Sequence, residues 1–240
     1  MHYLKQTFAK AQSNLALDES LLNQFETGEE HGLIRFWEPT QPCVVAGYGN
    51  RISSEVQLEE CRFLNIPVLR RITGGGAVVQ GPGCLVYSLI LPFDPADPLA
   101  NVVAANRSIM DRQRRALQTL LTDRISVEGT TDLVLGDRKF SGNAQKRGRR
   151  ALLFHGVFLL EFDLSLIDRL LPLPTRRPDY RRDRGHGDFV TNIHLQPSEV
   201  INAVRNEWQA DQSSPIEIDW PTVDLLAQEK YASNKWIHKR

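Results

Sequence analysis

The 240-residue sequence is short of cysteine, of net charge and of long apolar runs, and each shortage removes a class of function. Cys43, Cys61 and Cys84 are odd in number and none sits in a Cys-x-x-Cys pair, which argues against a disulfide framework and a zinc site. Lysine plus arginine and aspartate plus glutamate balance at 29 each, so no global field draws the chain to nucleic acid or to an anionic membrane. No apolar run approaches the roughly 18 residues of a membrane-spanning helix. The start, MHYLKQTFAKAQSN, lacks the apolar centre of a signal peptide, so a cytoplasmic location is expected. Internal repeats and low-complexity tracts are missing too. What remains, 41% hydrophobic and 24% charged residues, is an ordinary globular composition, expected as a single domain over residues 1–240.

Apolar periodicity predicts the elements. SNLALDESLLNQF carries Leu17, Leu21, Leu22 and Phe25 at helical spacing, with Ser13 or Asn14 as its cap. Strands are predicted over LIRFWE and CVVAGYG, then one helix over SSEVQLEECRFLNIP that stops near Asn65-Ile66-Pro67. PVLRRIT, GAVVQ and CLVYSLILP read as strands punctuated by glycine. A long helix is predicted from Ala100 to Thr122, with Ile109, Gln113, Ala116, Leu117 and Leu120 along one face. TTDLVLGDRKFSGNAQKRGRRALLFHGVFLLEFD reads as three strands, the first two joined around Gly136-Asp137. LPTRRPDYRRDRGHGDF, rich in proline, glycine and arginine, reads as a loop. SEVINAVRNEW reads as a helix with Val200, Val204 and Trp208 on one side, and PTVDLLAQEKY as a shorter one with Pro221 near its start. Helices separated by groups of strands, without strict βαβ alternation, predict an α+β fold with a mixed sheet flanked by helices.

Three stretches carry chemistry. RRITGGGAVVQGPG, Arg70 to Gly83, matches neither GxxxxGK[ST], since no Lys-Ser or Lys-Thr follows, nor a helix-opening GxGxxG, since a strand follows. Successive glycines let a ligand lie against bare backbone whose N–H groups bind carboxylate or phosphate, with Arg70 and Arg71 adding charge-assisted bonds. The other reading is a tight turn or bulge between strands. In GDRKFSGNAQKR, Lys139 is followed by the small residues Ser141, Gly142 and Ala144. It sits against a ligand, where an ammonium neutralises a phosphate and a developing oxyanion in acyl transfer, or it is an exposed hairpin lysine. In LLFHGVFLLEF, His155-Gly156 interrupts an apolar strand. A hydrogen-bonded packing histidine is the plain reading, and Gly156 marks close approach by a ligand or by another strand.

Taken in order, RRITGGGAVV, DLVLGDRKFSGNAQ and FHGVFLLEFD resemble the lipoate–protein ligase family, within the biotin/lipoate protein ligase-like, class II synthetase-like fold. NLALDESLL is similar to the family's first helix, FWEPTQPCVVAGYGN to its early strand pair, GHGDFVTNI to the segment ending in Val-Thr-Asn, and EKYASNKW to the closing motif. The likeness covers nearly the whole chain. It implies adenylation followed by amide formation: lipoate attacks the α-phosphate of ATP, and a lysine of a lipoyl-type acceptor then displaces AMP. That acceptor is a lipoyl domain or a glycine-cleavage H-like protein. The resemblance also implies that Arg71 and the backbone of Gly76, Ala77, Val78 and Val79 hold the adenylate, and that Gly74 and Gly75 admit the acyl chain. Lys139 would contact the lipoyl carbonyl and the phosphate, with Ser141, Gly142 and Ala144 beside it. Asp132 would serve nucleotide and Mg²⁺, and His155-Gly156 would line the acyl tunnel. Thr131 stands where the ligases often have Asn, and Gln80 where His is common. Many bacterial ligases carry a small C-terminal accessory domain. This chain stops soon after Trp236, so that function is dispensable or supplied by a separate accessory protein.

QGPGCLVYSL is closer to the HGPG pattern of lipoyl/octanoyl transferases, which need no ATP and pass the acyl group through a cysteine thioester. One branch has that cysteine just before FHG, where this sequence has Leu152 and Leu153. Another has it before the lysine hairpin, where VEGTTDLVLGD has none. Cys43 and Cys61 read as packing residues, which leaves Cys84 as the thiol open to that role. Biotin ligation fits less well, because Arg70, Ile72, Thr73 and Gly74 do not form that branch's arginine-rich glycine loop. A non-catalytic lipoate-binding module is opposed by Lys139 together with Arg71. Arg176, Arg177, Arg181, Arg182 and Arg184, offset by Asp179 and Asp183, read first as a solvated loop and second as a surface steering an acidic acceptor. The expectation is an ATP-dependent lipoate–protein ligase with no nucleic-acid or membrane partner.

Overall fold

The structure is a computed structural model that describes residues 1–174, 177–213 and 215–239. The strands, in chain order, are β1 (His2–Lys5), β2 (Leu33–Trp37), β3 (Cys43–Ala46), β4 (Val68–Arg70), β5 (Val78–Gln80), β6 (Cys84–Pro92), β7 (Ile125–Glu128), β8 (Asp132–Leu135), β9 (Arg138–Arg147), β10 (Ala151–Leu159) and β11 (Gln212–Ser213). The helices are α1 (Ala11–Phe25), α2 (Ile52–Glu55), α3 (Leu58–Phe63), α4 (Val102–Gln118), α5 (Ser165–Leu170), α6 (His186–Phe189), α7 (Pro197–Trp208), α8 (Trp220–Leu225) and α9 (Asn234–Ile237).

One mixed sheet runs β11-β1-β2-β6-β10-β9-β8-β7, and β4-β3-β5 form a small second sheet. The α+β expectation therefore holds. At the centre, β6 and β10 pair antiparallel from Cys84↔Leu159 to Pro92↔Ala151. Helices cover both faces, which is why these two strands read as nearly continuous apolar runs. Leu85, Tyr87, Leu89, Leu152, Phe154 and Phe158 pack toward α4 and α7. Alternate residues such as Ile90 and Leu153 pack toward α1. Among the described residues no helix is long and apolar enough to cross a membrane.

Local chemistry sets the helix ends. The Asn101 side chain accepts from the N–H groups of Val103 and Ala104 and opens α4. Gln196 and Glu199 form a reciprocal box at the start of α7, with Pro197 in its first turn. Three helical expectations need correction. Helix α1 begins at Ala11 with no side-chain cap, and Ser13 and Asn14 lie inside it. The helix expected over SSEVQLEECRF is two short ones, because Val56 is extended (φ −140°). The expected loop after Leu171 contains a 3₁₀ turn at Asp179–Arg181 and the short α6.

The helix α1 is fixed to the sheet by a polar row in an otherwise apolar layer. Arg35 on β2, Ser88 on β6 and His155 on β10 are successive cross-strand partners. Asp18 of α1 comes down onto all three. Arg35 Nη1 donates to Asp18 Oδ1 at 2.5 Å, Ser88 Oγ donates to Oδ2 at 2.6 Å, and His155 Nδ1 lies 3.6 Å away. Asn14 closes the other side of the guanidinium, its Oδ1 accepting from Arg35 Nη2 at 2.6 Å. Burial alone would raise the pKa of Asp18, but Arg35 and the bonds from His155 and Ser88 outweigh it and hold the carboxyl below its ordinary range.

Removing one member of a buried pair strands the other. Arg35→Leu is therefore expected to cost about 3–5 kcal/mol, read from urea unfolding at neutral pH. A loss below about 1 kcal/mol would mean that Asp18 is compensated without Arg35.

Candidate active site

A cavity of about 310 Å³ opens between the two sheets and the segment joining α5 to α6. One part is an apolar sleeve. Val86 of β6, Val157 and Leu159 of β10, and Trp37 at the end of β2 pack there beside Ile167 and Leu171. Two buried polar atoms of lining residues have no partner among the described residues: Gln80 Oε1 and Trp37 Nε1.

The other part is polar and is built by the hairpin β8–β9. A register shift at Leu133/Val134 brings Lys139 opposite Val134, and Thr191 N–H donates to Lys139 O at 2.9 Å, so the backbone carrying the lysine is pinned on both sides. The Lys139 ammonium lies 2.7 Å from Asp132 Oδ1, and the Tyr180 hydroxyl donates to Asp132 Oδ2 at 2.7 Å. Gly142 explains the inward path: a Cβ there would meet Lys139 Nζ at 2.9 Å and Cε at 3.0 Å. Ser141 and Ala144 continue the same wall. The exposed-hairpin reading of Lys139 therefore fails, since its side chain is 27% exposed and lines the cavity. Thr131 spends its hydroxyl on Asn143 O at 2.9 Å. Among the described residues no three His, Cys, Asp or Glu side chains form a group that could hold a metal.

The glycine stretch supplies the third wall. Gly75, Gly76, Ala77, Val78 and Val79 line the cavity, and Gly74 does not. Gly75 has φ +87°, a conformation that favours glycine, and a Cβ there would lie 2.9 Å from Arg71 Nη2. Arg71 holds the loop from within: Nη2 donates to Gly74 O (2.6 Å) and Gly76 O (2.9 Å), and Nη1 to Val45 O (2.9 Å). Burial brings its pKa down to about 10. Arg70 points elsewhere, contrary to expectation. Its Nε donates to Ile237 O at 2.9 Å and its Nη1 to Gly47 O at 2.8 Å, so it ties the closing segment to the loop after β3.

His155 connects the loop to the polar row. Arg71 Nε donates to Thr73 Oγ1 at 2.9 Å, and Thr73 Oγ1 lies 2.7 Å from His155 Nε2. With the Asp18 carboxylate on the Nδ1 side, Nδ1 carries the proton and Nε2 accepts from the threonine. Burial lowers the pKa of His155, only partly opposed by Asp18, so the ring is neutral. Gly156 makes room for a neighbouring strand: a Cβ there would sit 1.6 Å from Asn143 Oδ1, which accepts from the Tyr87 hydroxyl at 2.6 Å.

Among the described residues no cysteine lines this cavity. Cys43 and Cys84 are buried, and burial pushes both thiols up to about 12, which removes the thiolate a thioester route needs. The arginine run is likewise not a uniform solvated surface. Arg176 lies outside the described residues. Arg184 reaches Asp137 at 3.1 Å and Arg177 reaches Asp183 at 3.9 Å, while Arg181 turns inward and lines the cavity. Tyr180 and His186 carry no signal as site residues in the sequence, Asp18 stands out only by its place in NLALDESLL, and Arg181 only as one of the arginine run.

Comparison with known proteins agrees with this architecture. The family model described as lipoyl protein ligase A/B catalytic domain matches residues 10–208. Lipoate-protein ligase A subunit 1 of Thermoplasma acidophilum is 27% identical over 242 residues, covering 99% of this chain and 92% of its own. An octanoyltransferase LipM of Oceanobacillus iheyensis is 26% identical over 259 residues, covering 97% and 94%. Among solved structures, a bi-partite lipoate protein ligase and its E2 lipoyl domain from T. acidophilum aligns with TM-score 0.85 at 22% identity, over 99% of this chain and 96% of that one. A lipoate-protein ligase A bound with ATP aligns with TM-score 0.83 at 23% identity, over 99% and 98%. These likenesses show the biotin/lipoate ligase fold.

His155 and His186 are both held below the ordinary imidazole value of 6.5, chiefly by burial. Below that pH the unfolded chain takes up protons that the folded one refuses, so stability falls as pH falls. Urea midpoints taken from pH 7.5 down to pH 5.5 are expected to decline, with a shallower decline in His155→Gln. A variant as steep as the parent would exclude His155 as a source.

Proposed function

We infer that this chain, which belongs to the lipoyl protein ligase A/B catalytic-domain family, is an ATP-dependent lipoate–protein ligase. It activates lipoate or octanoate to the acyl-adenylate and transfers the acyl group to a lysine of a lipoyl-type acceptor. The observation that carries the reading is an apolar sleeve ending on the Lys139–Asp132 pair, with no thiol on its walls. A fatty chain lies in the sleeve with its carboxylate at the polar end. Attack of a carboxylate oxygen on the α-phosphate of ATP forms the C–O–P anhydride and releases pyrophosphate. Lys139, moving off Asp132, sets its ammonium against the charge on the phosphoryl and carbonyl oxygens. The backbone of Gly76 to Val79 borders the adenylate, with Arg71 holding the loop in shape. In the second step the acceptor amine forms the C–N bond, the C–O bond to AMP breaks, and the amine proton is released.

Mg²⁺ fits here only as an ion brought by the nucleotide, with Asp132 as one carboxylate and phosphate oxygens as further ligands. When bound it would neutralise phosphate charge. The acceptor is drawn from the lipoyl-domain class, and the bi-partite organisation of the Thermoplasma structure supports a separate accessory chain for this protein too. Transfer from an acyl carrier by the thioester route is the competing reading, since an octanoyltransferase is among the relatives. It is disfavoured by the two thiols held near pKa 12.

Lipoate-dependent ATP–pyrophosphate exchange decides between them. The wild type is expected to exchange, and Lys139→Ala to lose about 10²–10³ of that rate with its fold retained. Normal exchange in Lys139→Ala refutes the role of the lysine. Acyl transfer from a carrier protein without ATP, and no exchange, refutes the ligase.

A further inference from the structure

Arg181 is 4% exposed and lines the cavity that Lys139 also lines. Its Nε donates to Arg184 O at 3.1 Å, its Nη2 to His186 Nδ1 at 3.3 Å, and the guanidinium carbon lies 4.5 Å from the centroid of the Phe189 ring. None of these groups is an anion. Arginine does not shed its proton, so Nδ1 of His186 must accept. That leaves Nε2–H to face Pro172 O at 3.3 Å, and the ring is neutral. Asp168 is occupied by Gly187 N–H at 3.1 Å. Among the described residues Arg181 makes no ion pair with a carboxylate, whereas Arg35, also buried, has Asp18 at 2.5 Å. A second cation crowds it: the Arg184 guanidinium carbon is 5.3 Å from the same Phe189 ring.

Taking a guanidinium out of water without a counter-ion is costly, and the usual remedies are pairing or exposure. Arg181 has neither. It has a cavity. We propose that Arg181 is a binding residue for an oxyanion of the substrate, a carboxylate or phosphoryl group seated in the cavity it shares with Lys139. The two sources of that oxyanion are the fatty acid and the nucleotide. Naming them rests on the ligase reading; the unpaired cation does not.

Calorimetric titration of the full chain separates the sources, using octanoate against neutral octanamide, and AMP and ATP against adenosine. Arg181→Gln is expected to weaken at least one charged probe tenfold or more while its neutral counterpart binds as before. Loss of octanoate identifies the carboxylate, loss of AMP the α-phosphate, and loss of ATP alone the leaving phosphates. Arg184→Gln removes the other guanidinium on Phe189, a tie to Asp137 and the bonds to the carbonyls of Tyr180 and Arg181, but no group that lines the cavity, and is expected to stay within twofold of wild type. If Arg184→Gln reproduces the loss, the effect belongs to the segment's structure and the proposal is wrong. Unchanged affinities in Arg181→Gln also overturn it. Should that variant fail to fold, Arg181→Lys, which keeps the charge and loses the planar fork, is expected to bind the same probe at least threefold more weakly; wild-type affinity there overturns the proposal. A wild type that binds octanoate but shows no pyrophosphate exchange would sink the ligase reading, while octanoate against octanamide would still test Arg181.

Discussion

A carboxylate buried between a helix and a sheet has to be answered by both, and the answer given to Asp18 organises much of what surrounds the cavity. Arg35 and Ser88 meet it from the sheet, and its charge settles which nitrogen of His155 bears the proton. That choice leaves His155 Nε2 to accept from Thr73, whose oxygen in turn accepts from Arg71. Arg71 then holds two carbonyls of the glycine loop. Each link fixes the direction of the next donor, so the shape of the loop depends on a helix residue that does not line the cavity.

The glycines make room, but largely for the protein's own polar groups. Gly142 clears the path of the Lys139 side chain, Gly156 clears the Asn143 amide, and Gly75 both takes a positive φ and clears Arg71. A cavity wall made this way presents bare backbone while cationic and amide side chains pack against its glycines from the same loop, the same strand or the neighbouring strand. Bare backbone suited to a ligand and close packing of buried polar groups are here one arrangement.

The sequence made the central features legible because they follow from short-range rules. The runs CLVYSLILP and ALLFHGVFL, the face of α4 and the Gly136 hairpin all stand where periodicity and punctuation put them. Lys139 on a hairpin followed by small residues was also readable. The short strands HYLK, ISVE and QS were not, because each is held in place by its neighbour in the sheet more than by its own residues. Arg70 and Arg71 show the limit within the site. Arg70 is the last residue of β4 and Arg71 the first beyond it, so their side chains part where the strand ends, and only Arg71 reaches the cavity. Tyr180, Arg181 and His186 lie in a stretch whose composition reads as solvated loop. Tyr180 and Arg181 pack on Phe189 at the end of the same stretch, and Tyr180 is also bonded to the hairpin carrying Asp132, which is distant in sequence.

Among the described residues three cations line the cavity, and they stand in different electrostatic states, a difference that bears on the order of events when an anion arrives. Four donor contacts of Arg71 go to the glycine loop, Val45 and Thr73, so it can turn toward a ligand only by loosening the wall it supports. Lys139 is neutralised by Asp132 and must exchange that partner before its charge is available. Among the described residues Arg181 has no carboxylate within ion-pair distance to give up, Asp168 acting on it only from farther away. An entering oxyanion therefore meets least resistance at Arg181, and its own charge then competes with Asp132 for Lys139. Tyr180, next in the chain to Arg181 and bonded to Asp132, couples the two places physically. Any movement of that segment toward a bound anion pulls on the carboxylate that restrains the lysine.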